Sequence, residues 1–408
     1  MRIEQNSMIA FLITVIISWG ATAYTYINTG FSIAMISFAA FVLFEQYKQP
    51  YRPKLIIPKE LILGFSVLYG ALFCTTIFHI DNLKNLYGGY YCALSLLMYM
   101  IPFWMILYIG RRYDIRKIVI YVFYGILYVV CLYGIIKYFL LGEYRLTSFY
   151  GPGTRVAMML DMFFPFTIAA TLYYKQNKKF FIISLILILL EIITIILGKV
   201  RGTYLALSVA IIFIFVIWRW LNPLQMSPRM KKYMGLGVLF SIIAMGVYGL
   251  SIGWGNPHRM VGEERFLMWE SSYYMWLDHP VIGIGLDEWQ SLWANSEYTH
   301  PDAKEHGAVH PHNVFIYFFT TCGIIGGVAY LFYNVMLFIY LFRKIRENSK
   351  NPFSWAMMFM FIAMTVHGLV DQSFILKLTG RIFYFMLGYT LIFEEWIQRK
   401  GICKNIEA

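Results

Sequence analysis

Apolar runs too long for ordinary soluble helices constrain this chain more than any other feature. FFIISLILILLEIITIILG at 180–198 is one of several that continue for about 18 residues or more, the length an α-helix needs to cross a bilayer core. Such windows recur at roughly 8–27, 29–46, 60–79, 87–109, 117–141, 155–174, 180–197, 200–220, 234–253, 312–342, 353–372 and 380–397. The expected fold is therefore an all-α integral membrane protein of about 12 transmembrane helices. Residues 1–408 are expected to form a single polytopic domain, with one large outer loop at 254–311 between the ninth and tenth spans that contains short helical structure. MRIEQNS ahead of the first run is followed by no small-residue cleavage site, so that run reads as a retained span.

Composition agrees: 59% of residues are hydrophobic and 14% charged. The 32 Tyr, 34 Phe and 11 Trp suit helix interfaces and headgroup-level anchoring. A net charge of +12 raises the question of nucleic acid, but the basic residues sit in short clusters between apolar runs rather than on one surface with stacking platforms. No nucleic-acid partner is expected. Cys74, Cys92, Cys131, Cys322 and Cys403 form neither a CxxC pair nor a metal-ligand spacing, so neither a disulfide framework nor a zinc site is expected.

The clusters orient the spans. With the N-terminus cytoplasmic, alternate loops carry Lys48, Arg52 and Lys54, then Arg111, Arg112 and Arg116, then Lys175, Lys178 and Lys179. The series continues with Arg229, Lys231 and Lys232, then Arg343, Lys344 and Arg346, and ends at Arg399 and Lys400, which satisfies the positive-inside rule at each loop. Both termini are then cytoplasmic. Basic residues left on the outer side oppose that sorting and more often have a local task; Arg155, Lys199, Arg201, Arg265 and Arg381 are among them.

Within the outer loop, GEERFLMWESSYYMWLDHP has Phe266, Leu267, Trp269, Tyr273, Met275 and Trp276 at helical spacing, and predicts a short amphipathic helix on or near the outer interface. Arg265 lies among Glu263, Glu264 and Glu270, so an ion pair competes with a binding role. VIGIGLDEW reads as a tight turn, and Asp161 and Glu191 inside spans are candidates to balance the arginines.

EHGAVHPHNVFIYFFTTCGIIGG then places His306, His310 and His312 at the lip of a long apolar helix. His310 and His312 are two apart and no HExxH stands nearby, so a metal is not required; no GxSxG turn supports a serine nucleophile either. The residues suit a transfer in which guanidinium groups and helix N-termini bind a diphosphate leaving group while a neutral histidine takes a proton from an acceptor hydroxyl. Arg201 begins the eighth span and His312 the tenth, where helix dipoles favour an anion.

His312-Asn313, followed after nine residues by Gly323 and then Gly326, resembles the H-N-(nine residues)-G-x-x-G signature of the O-antigen ligase superfamily. GKVRGTYLAL, ERFLMWESSYYMWLDHPVIGIG and VHGLVDQSF resemble further parts of that family. The resemblance implies a metal-independent, inverting glycosyltransferase of the GT-C type in the bacterial inner membrane, active on the periplasmic side and without a cofactor. It takes O-antigen from undecaprenyl diphosphate and attaches it to lipid A-core. Arg201 and Arg265 would grip the diphosphate, His312 would be the general base, and Asn313 would orient His312 or cap the helix. Arg155, Lys199, His310, Asp371 and Arg381 are supporting candidates, while Gly323, Gly326 and Gly327 are expected to permit close helix packing. The alternatives within the superfamily are an O-antigen polymerase and a protein O-oligosaccharyltransferase. A transporter of the lipid-linked sugar would concentrate ionisable groups at mid-membrane, whereas here they gather at one edge.

Overall fold

The computed structural model describes residues 8–9, 12–13, 27–48, 56–79, 83–149, 151, 153–221, 235–236, 239, 243, 246 and 264–406. These form helices α1 (Ile27–Lys48), α2 (Lys59–Ile77), α3 (Leu83–Met98), α4 (Ile101–Arg112), α5 (Arg116–Leu141), α6 (Gly153–Tyr173) and α7 (Lys178–Gly198). They continue with α8 (Arg201–Leu221), α9 (Glu264–Asp278), α10 (Trp289–Asn295), α11 (Val314–Glu347), α12 (Pro352–His367) and α13 (Lys377–Ile406). Among the described residues, seven helices are long and apolar enough to cross a membrane, and Phe31–Tyr47 and Pro352–His367 are shorter apolar helices.

The expected windows and the helices agree in most places. Two expected spans, 8–27 and 234–253, fall wholly or largely outside the described residues, as do 254–263 of the loop. The window at 87–109 is broken at Tyr99–Met100, where Pro102 takes the first turn of α4. The window at 353–372 stops being helical at His367, because the Gly368 carbonyl turns to accept the Val314 N–H at 2.8 Å. Elsewhere side-chain caps set the starts: Asn177 accepts from Phe180, and Asn351, followed by Pro352, accepts from Phe353.

Helices α2 and α11 pack along each other, α12 lies against both α6 and α8, and α13 against α4. Much of the aromatic content is spent at these interfaces, where Phe65 meets Phe103, Tyr333 and Tyr384, and the Tyr69 and Tyr384 hydroxyls are 3.0 Å apart. At one end of the bundle the basic clusters are paired. Arg343 grips Glu60 through two bonds of 2.6 and 3.0 Å, Arg111 meets Glu395 at 2.7 Å and Arg112 meets Glu45 at 2.9 Å. The opposite end carries the histidines.

Helix α9 takes part in a small core of its own. Leu267, Met268 and Met275 face inward and build a small core with Ile284, Trp289, Trp293, Ala303 and Ala308, while Tyr273 and Tyr274 stay exposed. The chain leaving α9 is then spliced into α11. Gly323 has φ +62° and ψ −161°, which interrupts α11. Ile324 and Ile325 N–H donate to the Pro280 and Val281 carbonyls at 2.8 and 3.4 Å, and Thr320 and Thr321 carbonyls accept from Ile284 and Gly285 at 3.0 and 2.9 Å. The four α11 groups in these bonds would otherwise be orphaned by the break. A Cβ on Gly323 would collide with the Val281 carbonyl, and one on Gly326 or Gly327 with the Cys322 or Phe319 side chain of the same helix. The expected helix-to-helix packing role is therefore corrected for Gly323, which admits a loop into a broken helix, while Gly326 and Gly327 make room for side chains of their own helix.

Candidate active site

The first residues of α11 organise the site. Asn313 caps the helix, its side-chain oxygen accepting from Phe315 and Ile316 N–H at 2.9 and 3.1 Å, and its amide donates to the Leu369 carbonyl at 3.0 Å. Together with the Val314 to Gly368 bond, this staples the start of α11 to the turn that leaves α12. The turn brings Asp371 to His312, with Nδ1 and Oδ1 3.1 Å apart. Asp371 Oδ1 also accepts the Gln372 N–H at 2.8 Å.

Burial opposes ionisation of Asp371, but the hydrogen bond from His312 and the charges of His367 and His312 outweigh it and hold the carboxyl well below the usual range. An ionised carboxylate only accepts, so the proton of a neutral His312 is on Nδ1 and Nε2 keeps its lone pair. The His312 side chain is 26% exposed and reachable by a substrate.

His312 has φ +50°, a left-handed conformation that few non-glycine residues adopt. Its N–H donates to His310 Nδ1 at 3.2 Å, and the two rings lie edge to face at 4.4 Å. His310 is buried, and burial with the neighbouring His312 charge pushes it down to about 3. It stays neutral near pH 7 and can keep accepting that N–H. His310 thus contacts the backbone and ring of His312, whereas His306 is exposed.

Arg265 is the second residue of α9. Trp269 Nε1 donates to the Pro311 carbonyl at 2.8 Å, which ties this helix to the approach to His312. Of the acids beside Arg265, Glu264 accepts the Lys304 and Glu305 N–H groups and Glu270 lies 3.7 Å from His300. Glu263 lies outside the described residues. The Arg265 charge bears instead on His310.

Arg201 opens α8. The next two residues anchor that helix: a Cβ on Gly202 would stand 3.0 Å from His367 Nε2, and Thr203 Oγ1 donates to Asp161 Oδ2 at 3.3 Å. His367 closes α12, four residues before Asp371.

Other candidates are placed elsewhere. Lys199 Nζ sits 4.3 Å from the Tyr144 ring centroid, and Arg155 approaches Gly151 at the start of α6. The buried Arg381 guanidinium stacks 3.8 Å from the Phe31 centroid and 5.8 Å from that of Tyr99. Asp161 Oδ2 pairs with His367 and Glu191 Oε1 accepts from Thr167 at 3.1 Å, so these span carboxylates meet a histidine and a threonine rather than an arginine, each through one oxygen. The residue that sequence reasoning missed is His367; its only signal was the four-residue spacing to Asp371 in VHGLVDQSF.

His312 and Asp371 are thus held together at the start of α11, the charge of Arg265 reaches His310, and Arg201 opens α8 next to the Gly202 that packs against His367. Residues 185–331 match the family model of the O-antigen ligase domain. Over that stretch the chain is similar to the O-antigen ligase family. The matched stretch holds Arg201, Arg265, His312 and Gly323; Asp161, His367 and Asp371 lie outside it. No curated protein matches the chain.

Proposed function

We propose that this protein is an O-antigen ligase of the GT-C type, working on the periplasmic face of the bacterial inner membrane. An acceptor hydroxyl of lipid A-core attacks the anomeric carbon of a glycan carried on undecaprenyl diphosphate. His312 Nε2 takes the hydroxyl proton, the new glycosidic bond forms with inversion, and the bond to the diphosphate breaks. Arg201 and Arg265 hold the departing diphosphate, and Asp371 stabilises the imidazolium formed. No step needs a metal. The observation that carries this reading is the Asp371 to His312 hydrogen bond of 3.1 Å at the capped start of α11, which leaves Nε2 as the free acceptor.

The test is the lipopolysaccharide of a deletion strain, complemented by wild type or His312→Ala. Bare core with accumulated lipid-linked O-antigen in the deletion and in H312A supports the ligase. Core bearing a single repeat assigns a polymerase, and a normal ladder from H312A removes His312 from the chemistry. Purified protein with both lipids should transfer glycan in the presence of chelator, and loss of activity reversed by a divalent ion would overturn the metal-free step.

A further inference from the structure

Behind the His312–Asp371 pair lies a second acid–histidine pair that takes no direct part in the transfer. Asp161 of α6 and His367 of α12 meet through Oδ2 and Nδ1 at 2.5 Å, each side chain only 2% exposed. The same carboxylate oxygen accepts from Thr203 of α8. Three helices therefore converge on one atom. On its other edge the His367 ring packs against Gly202, where a Cβ would come within 3.0 Å of Nε2. The His367 carbonyl accepts the Val370 and Asp371 N–H groups at 3.0 and 2.9 Å, which turns the chain toward His312.

A polar group buried among membrane helices is costly unless it does something apolar packing cannot. Apolar faces fix how closely two helices approach but resist rotation weakly, whereas hydrogen bonds to a shared oxygen fix direction. Rotation of the first turn of α8 decides where Arg201 points.

We propose that Asp161, His367 and Thr203 form a clamp of positioning residues that keeps Arg201 of α8 in register with the turn carrying Asp371. The clamp rests on the reading of Arg201 as a diphosphate ligand and Asp371 as the partner of the base. It couples the two: one arm, Thr203, reaches only the donor-binding helix, while His367 reaches both that helix and the Asp371 turn.

Three substitutions in the full chain, reconstituted in nanodiscs, separate the arms. Thr203→Val keeps the shape and cuts one arm; it should weaken binding of undecaprenyl diphosphate and raise donor KM about 5- to 10-fold, with kcat within about 2-fold. His367→Phe cuts both and should lower kcat by about 10-fold or more as well. His367→Asn places an amide N–H where Nδ1 stands and should stay within about 3-fold of wild type on both. Unchanged binding, KM and kcat in T203V and H367F overturn the clamp, and so does an H367N that loses as much as H367F. Hydrogen exchange of peptides covering 201–204 and 368–371 needs no substrate. It should be faster in H367F than in H367N, and equal rates overturn the clamp. Wild type that shows the exchange pattern without transferring glycan refutes the functional reading and leaves the clamp supported.

Discussion

Replacing Asp371 by Asn isolates the electrostatic part of the proposed base. The Asn oxygen can still accept from His312 Nδ1 and from the Gln372 N–H, which lie 3.1 and 2.8 Å from Oδ1 in the native site, so geometry is kept while the charge is lost. A carboxylate at about 4 Å from an imidazolium is worth about 4 kcal/mol at an effective dielectric near 20. With the His312 side chain 26% exposed, solvent screening reduces this to about 2–3 kcal/mol. That charge is needed only once His312 holds the acceptor proton, so the loss belongs to the transition state and should appear as a fall of about 30- to 150-fold in kcat. Donor KM should stay within about 2-fold, because Arg201 and Arg265 are untouched. The assay is transfer from undecaprenyl-diphosphate glycan to purified lipid A-core, with elution volume and melting temperature as controls for folding. A D371N protein with wild-type kcat, or one whose defect is confined to donor KM, would refute the assignment of Asp371 as partner of the base.

Gly323→Ala forces a side chain into the Val281 carbonyl at φ +62° and should destabilise the protein by about 3 kcal/mol or more; a melting temperature equal to that of wild type would show that the loop is not spliced into α11. His310 is held down to about 3 in the fold against about 6.5 in the unfolded chain, so between those values the unfolded chain binds more protons and stability falls as pH drops. This removes about 2 kcal/mol between pH 7 and pH 5, and His310→Asn should lose that part of the acid sensitivity in thermal melts at the two pH values. Arg201→Lys keeps the charge but loses the planar fork, and should raise donor KM about 10-fold with kcat nearly unchanged; equal kinetics would mean that Arg201 is not a bidentate ligand.

The sequence exposes what depends on local periodicity and hides what depends on distant partners. Apolar length located α2, α5, α7 and α8 closely, because a bilayer demands it of each segment separately. His312, Arg201 and Arg265 stood out because cations and histidines at outer helix starts are anomalous one by one. The pairing of Asp161 with His367 did not: Asp161 was expected to balance an arginine, and its partner lies 206 residues away in another apolar helix. Gly323 was visible as part of a spacing, but its purpose depends on Pro280–Gly285, a segment whose own glycines suggested only a turn.

These hidden contacts explain how a site assembled from separate helix ends can be precise. Arg265 and His312 belong to one rigid unit, because the chain leaving α9 is spliced into α11, Trp269 donates to Pro311, and Thr320 Oγ1 donates to the Ser272 carbonyl at 3.2 Å. Asp371 joins that unit through Asn313 and Val314, which bond to Leu369 and Gly368. Arg201 reaches it by a different route: α8 packs on α12, and its first turn is bonded through Thr203 and Asp161 to His367. The proposed proton acceptor, His312, is thus fixed by several backbone bonds, while the arginine on α8 depends on a few side-chain bonds. Modest changes in that linkage should therefore alter donor affinity before they alter the proton transfer.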